Sequence, residues 1–457
     1  MMGDIRSKCG IVVTHTLHDA YEALGALQHR GQDTVGIAAK GRYGIDVLRW
    51  RGLVSDFSLS NAGKILQGDL FMGHVRYSTM REKKESDLFG GAHPRFLGGK
   101  KDYRGSHDIV RGASKAIVQN GNLPGVLYNE GEIDTDVMLN FYAEQGIEKT
   151  IEQFPSAHAS AILDIQKDEA LVFRDRYGIR PLWIGEKDGR LVVASEDVAL
   201  WKIGGKPIRE VRPGEVIDIP PRGIDIKNQQ VVKTNTQLCF FEFNYLQSSS
   251  STLDGRNVLD VRYNLGTEVA SEFNTDVDLD LVTYIPHAPE SMARGCSDAM
   301  GIPFMEVFYK QKKRRSFLGP TKKKRAESIN NNLFVLDNID LKGKNVFVCD
   351  DSLVRFNNAP DAAIKLREKG VEYLVLGLGT PPIGRIVEGK ERGCLFGVDI
   401  PPDDDFAIRR YKNLKEMAED SDFDEIHFIS EEAMAKAHGV SLDERCTYCI
   451  GGPNPVS

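Results

Sequence analysis

The sequence predicts an α/β protein made of two successive units, and three observations carry that reading. To about residue 235 the chain is a series of short apolar, β-branched runs broken by glycine-rich turns, the pattern of a buried sheet. Beyond that point strand-like runs alternate with helical ones, which implies a parallel sheet covered by helices. The length, 457 residues, allows two or three domains that each bury a core.

The elements follow in order. Ile11-Val12-Val13, Ala116-Ile117-Val118, Ala161-Ile162-Leu163 and Leu191-Val192-Val193-Ala194 read as strands of the first unit. Asp19 to Gln28, apolar at Ala20, Ala23, Leu24 and Leu27, reads as a helix packed on them. The long basic, Gly-rich stretch Met80 to Ser114 reads as a surface loop. Pro220-Pro221-Arg222-Gly223 and the polar Lys227 to Gln237 read as the end of the unit. In the second unit Leu281–Ile285, Val346–Val348 and Tyr373–Leu376 read as strands, with helices over Arg256 to Phe273 and Ala359 to Lys369. The last 70 or so residues are acidic and end in a cysteine pair.

Composition excludes several classes. With 59 Lys+Arg against 66 Asp+Glu, the net charge of −7 argues against general nucleic-acid binding. No apolar run approaches the roughly 20 residues that span a bilayer, and Met1 to Lys8 has no signal-peptide core, so a cytoplasmic, non-membrane protein is expected. Seven cysteines are too sparse for a disulfide scaffold and read as thiols, metal ligands or a nucleophile.

Cys9 precedes a β-like run, and a packing role would suit it. The functional reading is that residues 1–8 are removed, so that the new α-amino group, with a pKa of about 8, serves as general base to its own thiol. Three clusters support this. His29-Arg30-Gly31-Gln32-Asp33 sits at a helix end. Gly73-His74-Val75-Arg76-Tyr77-Ser78-Thr79 places a guanidinium fork, suited to a carboxylate, at a strand end. Asn120-Gly121-Asn122-Leu123 offers a side-chain amide and a Gly N–H, the two donors an oxyanion hole needs.

These residues, with Leu27-Gln28, Arg174-Asp175-Arg176-Tyr177-Gly178-Ile179-Arg180-Pro181-Leu182, Ala194-Ser195-Glu196 and Arg212-Pro213-Gly214-Glu215, resemble the glutamine phosphoribosyl pyrophosphate amidotransferases. More broadly they resemble the class II, N-terminal-nucleophile glutamine amidotransferases, and the likeness runs along nearly the whole chain. The resemblance implies an N-terminal αββα sandwich at 9–237, a phosphoribosyltransferase-like acceptor domain at 238–385 and a tail at 386–457, after a removable leader at 1–8. It implies that Cys9 attacks the glutamine carboxamide and releases ammonia from a thioester. Arg76 then binds the α-carboxylate and Asp134 the α-ammonium, and Asn120 and Gly121 form the oxyanion hole. His29, Arg30 and Thr79 are expected in the same glutamine site, and a homo-oligomer is expected.

Cys446-Thr447-Tyr448-Cys449 is by itself a weak C-x-x-C signal, and a closed site needs two more thiolates. Cys239 and Cys394 match the positions where some members of the resembled family hold an iron–sulfur cluster, so the resemblance implies a structural [4Fe-4S] group, with zinc or free thiols as alternatives. Cys296 and Cys349 read as core residues.

The acceptor site departs from the family pattern. Val346 through Arg355 matches the family strand that ends in paired acids, but Phe356-Asn357-Asn358-Ala359-Pro360 replaces the phosphate-cradling Gly-Thr-Thr. Pro289 and Glu290 stand in the pyrophosphate loop. The lysine expected near Leu333 is missing, although Tyr309 to Asn332 is strongly basic. The expectation is therefore a glutamine amidotransferase whose acceptor is anionic but not phosphoribosyl pyrophosphate, held by Asp350, Asp351, Ser352, Arg355 and Arg315, with Mg2+ as a further candidate there. The competing readings are an ordinary amidophosphoribosyltransferase, making 5-phosphoribosylamine for purine synthesis, and a catalytically silent regulatory paralogue.

Overall fold

The computed structural model describes residues 9–456 except 78–88, 124–128, 130–131, 233–235, 287, 311–332 and 399. The leader, Thr79, Arg315 and His287 therefore lie outside the described residues.

The N-terminal unit contains strands β1 (Gly10–Thr14), β2 (Thr34–Lys40), β3 (Ile45–Arg51), β4 (Leu70–Arg76), β5 (Arg95–Tyr103), β6 (His107–Asn122), β7 (Ala157–Asp164), β8 (Ala170–Arg174), β9 (Trp183–Lys187), β10 (Arg190–Ala194), β11 (Lys206–Glu210), β12 (Glu215–Ile219) and β13 (Lys227–Gln230). They hydrogen-bond in the order β11-β9-β10-β1-β4-β2-β3-β6-β7-β8-β12-β13, with β5 on β6. Side-chain alternation along the strands makes this path two layers. Ile11, Val13 and Met72 meet Val118, Ala159 and Ala161 in one inner core. Their sequence neighbours face outward: Val12 and Val35 pack under α1 (Leu17–Ala26), α2 (Leu59–Ile65) and α5 (Asp197–Lys202). Ile117, Ile162 and Phe173 pack under α3 (Asp134–Gln145) and α4 (Ile147–Gln153). The result is the αββα sandwich. A period of two in which both faces are apolar is what a doubly covered sheet requires.

One sequence reading is corrected here. Within Met80 to Ser114, the residues from Arg95 on are β5 and the start of β6, paired antiparallel, and not a surface loop. The run Gly98-Gly99-Lys100-Lys101 hid this strand because β5 is largely exposed and has no apolar face to alternate. Lys227–Gln230, in the polar stretch read as the end of the unit, still belongs to its sheet, as the exposed edge strand β13 on β12.

In the C-terminal unit β14 (Leu238–Cys239) leads into a π-helical turn at Glu242–Leu246 and helix α6 (Val258–Glu272). Four parallel strands follow in order: β15 (Leu281–Tyr284), β16 (Asn345–Asp350), β17 (Tyr373–Leu378) and β18 (Glu425–Phe428). Helices α7 (Glu290–Met300) and α8 (Ala359–Glu368) follow β15 and β16. The tail returns to pair β19 (Arg445–Cys446) with β14, in register Cys239 to Cys446. Cys296 and Cys349 are fully buried, as core residues should be. No helix among the described residues is long and apolar enough to cross a membrane.

Candidate active site

Cys9 stands immediately before β1, and the antiparallel β1–β4 register sets Gly10 opposite Val75, beside Arg76. Burial pushes the Cys9 thiol up. A backbone hydrogen bond at Tyr77 and the charges of Arg76, Arg180 and Arg30 act in the opposite direction. A buried, protonated thiol is a poor nucleophile, so it needs a base close by.

Asn120 and Gly121 end β6. The Asn120 Oδ1 accepts from Arg180 Nε at 3.1 Å and Nη2 at 2.7 Å. The Asn120 Nδ2 is buried and has no partner among the described residues, which is the state of a donor that awaits an oxyanion. Gly121 has φ +153°, and a Cβ there would lie 1.9 Å from the Ala157 carbonyl oxygen, so only glycine fits. Asp134 opens α3. Its carboxylate accepts the Leu123 N–H at 3.1 Å and the Thr135 N–H at 2.7 Å. Burial raises its pKa, and the charge of Arg76 counters this. The fold thus brings together Cys9, Arg76, Asn120, Gly121 and Asp134 from four separate stretches of chain.

His29 and Arg30 have other work. Arg30 is fully buried and donates from Nε to the Cys9 carbonyl at 2.9 Å, from Nη1 to Glu196 at 2.6 Å and from its two Nη atoms to Glu242 at 3.2 and 3.1 Å. His29 Nε2 lies 2.8 Å from the same Glu196 oxygen. Burial opposes ionisation of Glu196, but His29 and Arg30 hold its carboxyl well below the usual range. Arg180 and Glu242 close the chain at 2.9 Å. Sequence reasoning gave Arg180, Glu196 and Glu242 no role. The one available signal was Glu242, a charged residue inside the apolar run Cys239-Phe240-Phe241-Glu242-Phe243, where burial demands a partner.

The acceptor side lies at the carboxyl ends of β15, β16 and β17, where ligands of open α/β sheets bind. Asp350 is half-buried, and desolvation together with neighbouring Asp351 raises its pKa well above the carboxylate range. Ser352 Oγ donates to Asp351 at 2.7 Å. Arg355, expected to face an anionic acceptor, is held at both Nη atoms by Asp403 of the tail. Phe356 does not occupy an anion seat: it takes φ +53°, the left-handed turn normally given to glycine, and turns its ring into the core with Leu353 and Ala359. Pro360 falls in the first turn of α8, where a missing N–H costs least. The Glu290 carboxylate accepts from Arg294 at 3.0 Å. Three of the sequence objections to phosphate binding therefore weaken. The missing lysine still stands against it.

Cys239, Cys394, Cys446 and Cys449 line one cavity with Ile179, Gly397 and apolar neighbours. Burial, and next the neighbouring Cys394 sulfur, push Cys239 up to about 12. Burial and the other thiols raise Cys446 and Cys449 as well. Cys239, Cys394 and Cys446 are buried and Cys449 is half-buried; as thiolates, four sulfurs lining one apolar cavity would need a cationic group between them, and the donor set suits one. Among the described residues no group of three or more donors is placed to hold a metal ion.

A family model for a glutamine amidotransferase domain matches residues 124–202. The amidophosphoribosyltransferase of Methanothermobacter thermautotrophicus is 30% identical over 477 residues, covering 100% of this chain and 96% of that protein. That of Bacillus subtilis is 28% identical over 464 residues, covering 95% and 90%. A solved structure of the B. subtilis glutamine phosphoribosylpyrophosphate amidotransferase, complexed with ADP and GMP, superposes with a TM-score of 0.82 at 26% identity, covering 98% of this chain and 97% of that one. A structure described as the allosteric regulatory enzyme of purine biosynthesis gives 0.82 at 27% identity, covering 98% and 96%.

Proposed function

The chain belongs to the amidophosphoribosyltransferase family, and from that premise we propose that it hydrolyses glutamine at Cys9 and transfers the ammonia to phosphoribosyl pyrophosphate at the carboxyl ends of β15–β17. With residues 1–8 removed, the Cys9 α-amino group takes the thiol proton and the sulfur attacks the carboxamide carbon. Asn120 Nδ2 and the Gly121 N–H hold the oxyanion, while Arg76 and Asp134 hold the α-carboxylate and α-ammonium. Collapse expels ammonia and leaves a thioester, which water hydrolyses to glutamate. Ammonia then displaces pyrophosphate from the sugar and forms 5-phosphoribosylamine. A Mg2+ ion would arrive with the substrate, bound mainly by phosphate oxygens plus one or two carboxylates such as Asp350 and Asp351. Cys239, Cys394, Cys446 and Cys449 would hold a [4Fe-4S] group that serves as a structural cross-link between the tail and β14.

The observation that supports the acceptor assignment is Phe356: its backbone takes a left-handed φ of +53°, a conformation that favours glycine, and its ring is buried in the core with Leu353 and Ala359, so that it adds no bulk to the loop's open side. The relatives' names favour the same acceptor over the expectation from sequence that another anion is used. That second reading keeps two specific supports, the missing lysine near Leu333 and the engagement of Arg355 by Asp403. The test is to supply glutamine, Mg2+ and phosphoribosyl pyrophosphate and to measure glutamate and pyrophosphate together. Equal amounts of both are expected. Glutamate without pyrophosphate would overturn the assignment and favour the second reading.

A further inference from the structure

Cys9 and Asn120, which must act on one carbonyl, are each held by a guanidinium, and both guanidiniums are held by one carboxylate. Arg30 grips the Cys9 carbonyl and Arg180 grips the Asn120 carboxamide oxygen. Glu242 Oε1 accepts a hydrogen bond from Arg30 Nη2 at 3.1 Å and is ion-paired with Arg180 Nη1 at 2.9 Å. All three charged side chains are fully buried, so neither arginine can exchange Glu242 for water. By holding Oδ1, Arg180 also fixes which way the Asn120 amide is flipped and leaves Nδ2 as the donor for the oxyanion. Glu242 does not come from the sandwich. It opens the π-helical turn three residues after Cys239, and Asn244 of that turn donates to the Gly379 carbonyl, just past β17, at 2.6 Å. The tail closes on Arg180 from another side: a Cβ at Gly397, in the cysteine cavity, would fall 2.6 Å from Arg180 Cδ.

We propose that Glu242 is a positioning residue, lent to the glutamine site by the acceptor-side chain, which aligns the nucleophile and the oxyanion-hole amide through Arg30 and Arg180. The C-terminal unit thereby completes the first active site. The inference rests on the glutaminase reading, and a double-mutant cycle on the full chain with its leader processed tests both separately.

Wild-type protein that releases no glutamate would remove the underlying reading. With wild type active, Asn120→Ala should lower kcat for glutamine by about 100-fold or more, as loss of an oxyanion donor does. Glu242→Gln should lower kcat by about tenfold or more with KM nearly unchanged, because the loss falls on the transition state. The double variant should lose clearly less than the product of the two single losses, since the part of the Glu242 effect that passes through that amide is already gone. Multiplying effects, or an unchanged Glu242→Gln, would overturn the proposal. If Glu242→Gln does not fold, Arg180→Lys takes its place: it keeps the charge, loses the two-atom grip on Asn120, and must show the same kcat fall and the same lack of additivity.

Discussion

The two chemical regions of this molecule handle buried charge in opposite ways. Around Cys9 the buried guanidiniums of Arg30 and Arg180 and the carboxylates of Glu196 and Glu242 form a closed set of pairs, all inside the protein. Breaking one such pair costs about 3–5 kcal/mol, because the surviving charge stays buried. At the acceptor loop the pairing runs outward. Arg355 is nearly buried, but its partner Asp403 is 42% exposed, and Asp350 is left as a half-buried carboxyl that favours its proton. The first region is organised before substrate arrives. In the second, on the proposed function, Arg355 would exchange an internal carboxylate for the substrate's anion, which suits a site that engages only when loaded.

Three substitutions sharpen or break this contrast. The largest effect is expected from Cys9→Ala, which should lower glutamine hydrolysis by more than about a thousandfold, as loss of a nucleophile does. Pyrophosphate release driven by added ammonium salt should persist, and its loss would show that the halves are not separable. Phe356→Gly sets two terms against each other. Relief of the left-handed backbone is worth about 1–2 kcal/mol, whereas removing a buried phenyl ring costs about 3–5 kcal/mol. Burial wins, so denaturant unfolding should show a net loss of about 1–4 kcal/mol, with glutaminase kcat unchanged. A gain in stability would mean that the ring is not the anchor of this loop. The smallest effect is expected from Asp403→Asn. A half-exposed ion pair is worth at most about 1 kcal/mol, so freeing Arg355 should lower KM for phosphoribosyl pyrophosphate by no more than about fivefold. A rise in KM would mean that Asp403 orients Arg355 for the substrate and does not compete with it.

Much of the glutamine site was legible in the sequence because its residue types are chemically specialised. A cysteine at a strand start, an arginine at a strand end and an Asn-Gly pair each suit few other tasks. The acceptor loop was read less well, since the argument from Phe356 assumed that a side chain replacing glycine fills the space glycine leaves open. Phe356 takes a left-handed backbone conformation and its ring packs into the core, in the apolar space beside Leu353 and Ala359. Strand β5 was missed for a related reason: an exposed edge strand carries no apolar alternation to read.

Order along the chain and hydrophobic period indicated most of the strands and helices and named the candidate reacting groups, because these depend on near neighbours. Which charges meet did not follow from them. Arg30, Arg180, Glu196 and Glu242 are separated by up to 212 positions, and a buried ion pair is specified only when packing excludes water from both partners at once. That condition belongs to the assembled fold, where a residue of the second unit becomes part of the first unit's active site.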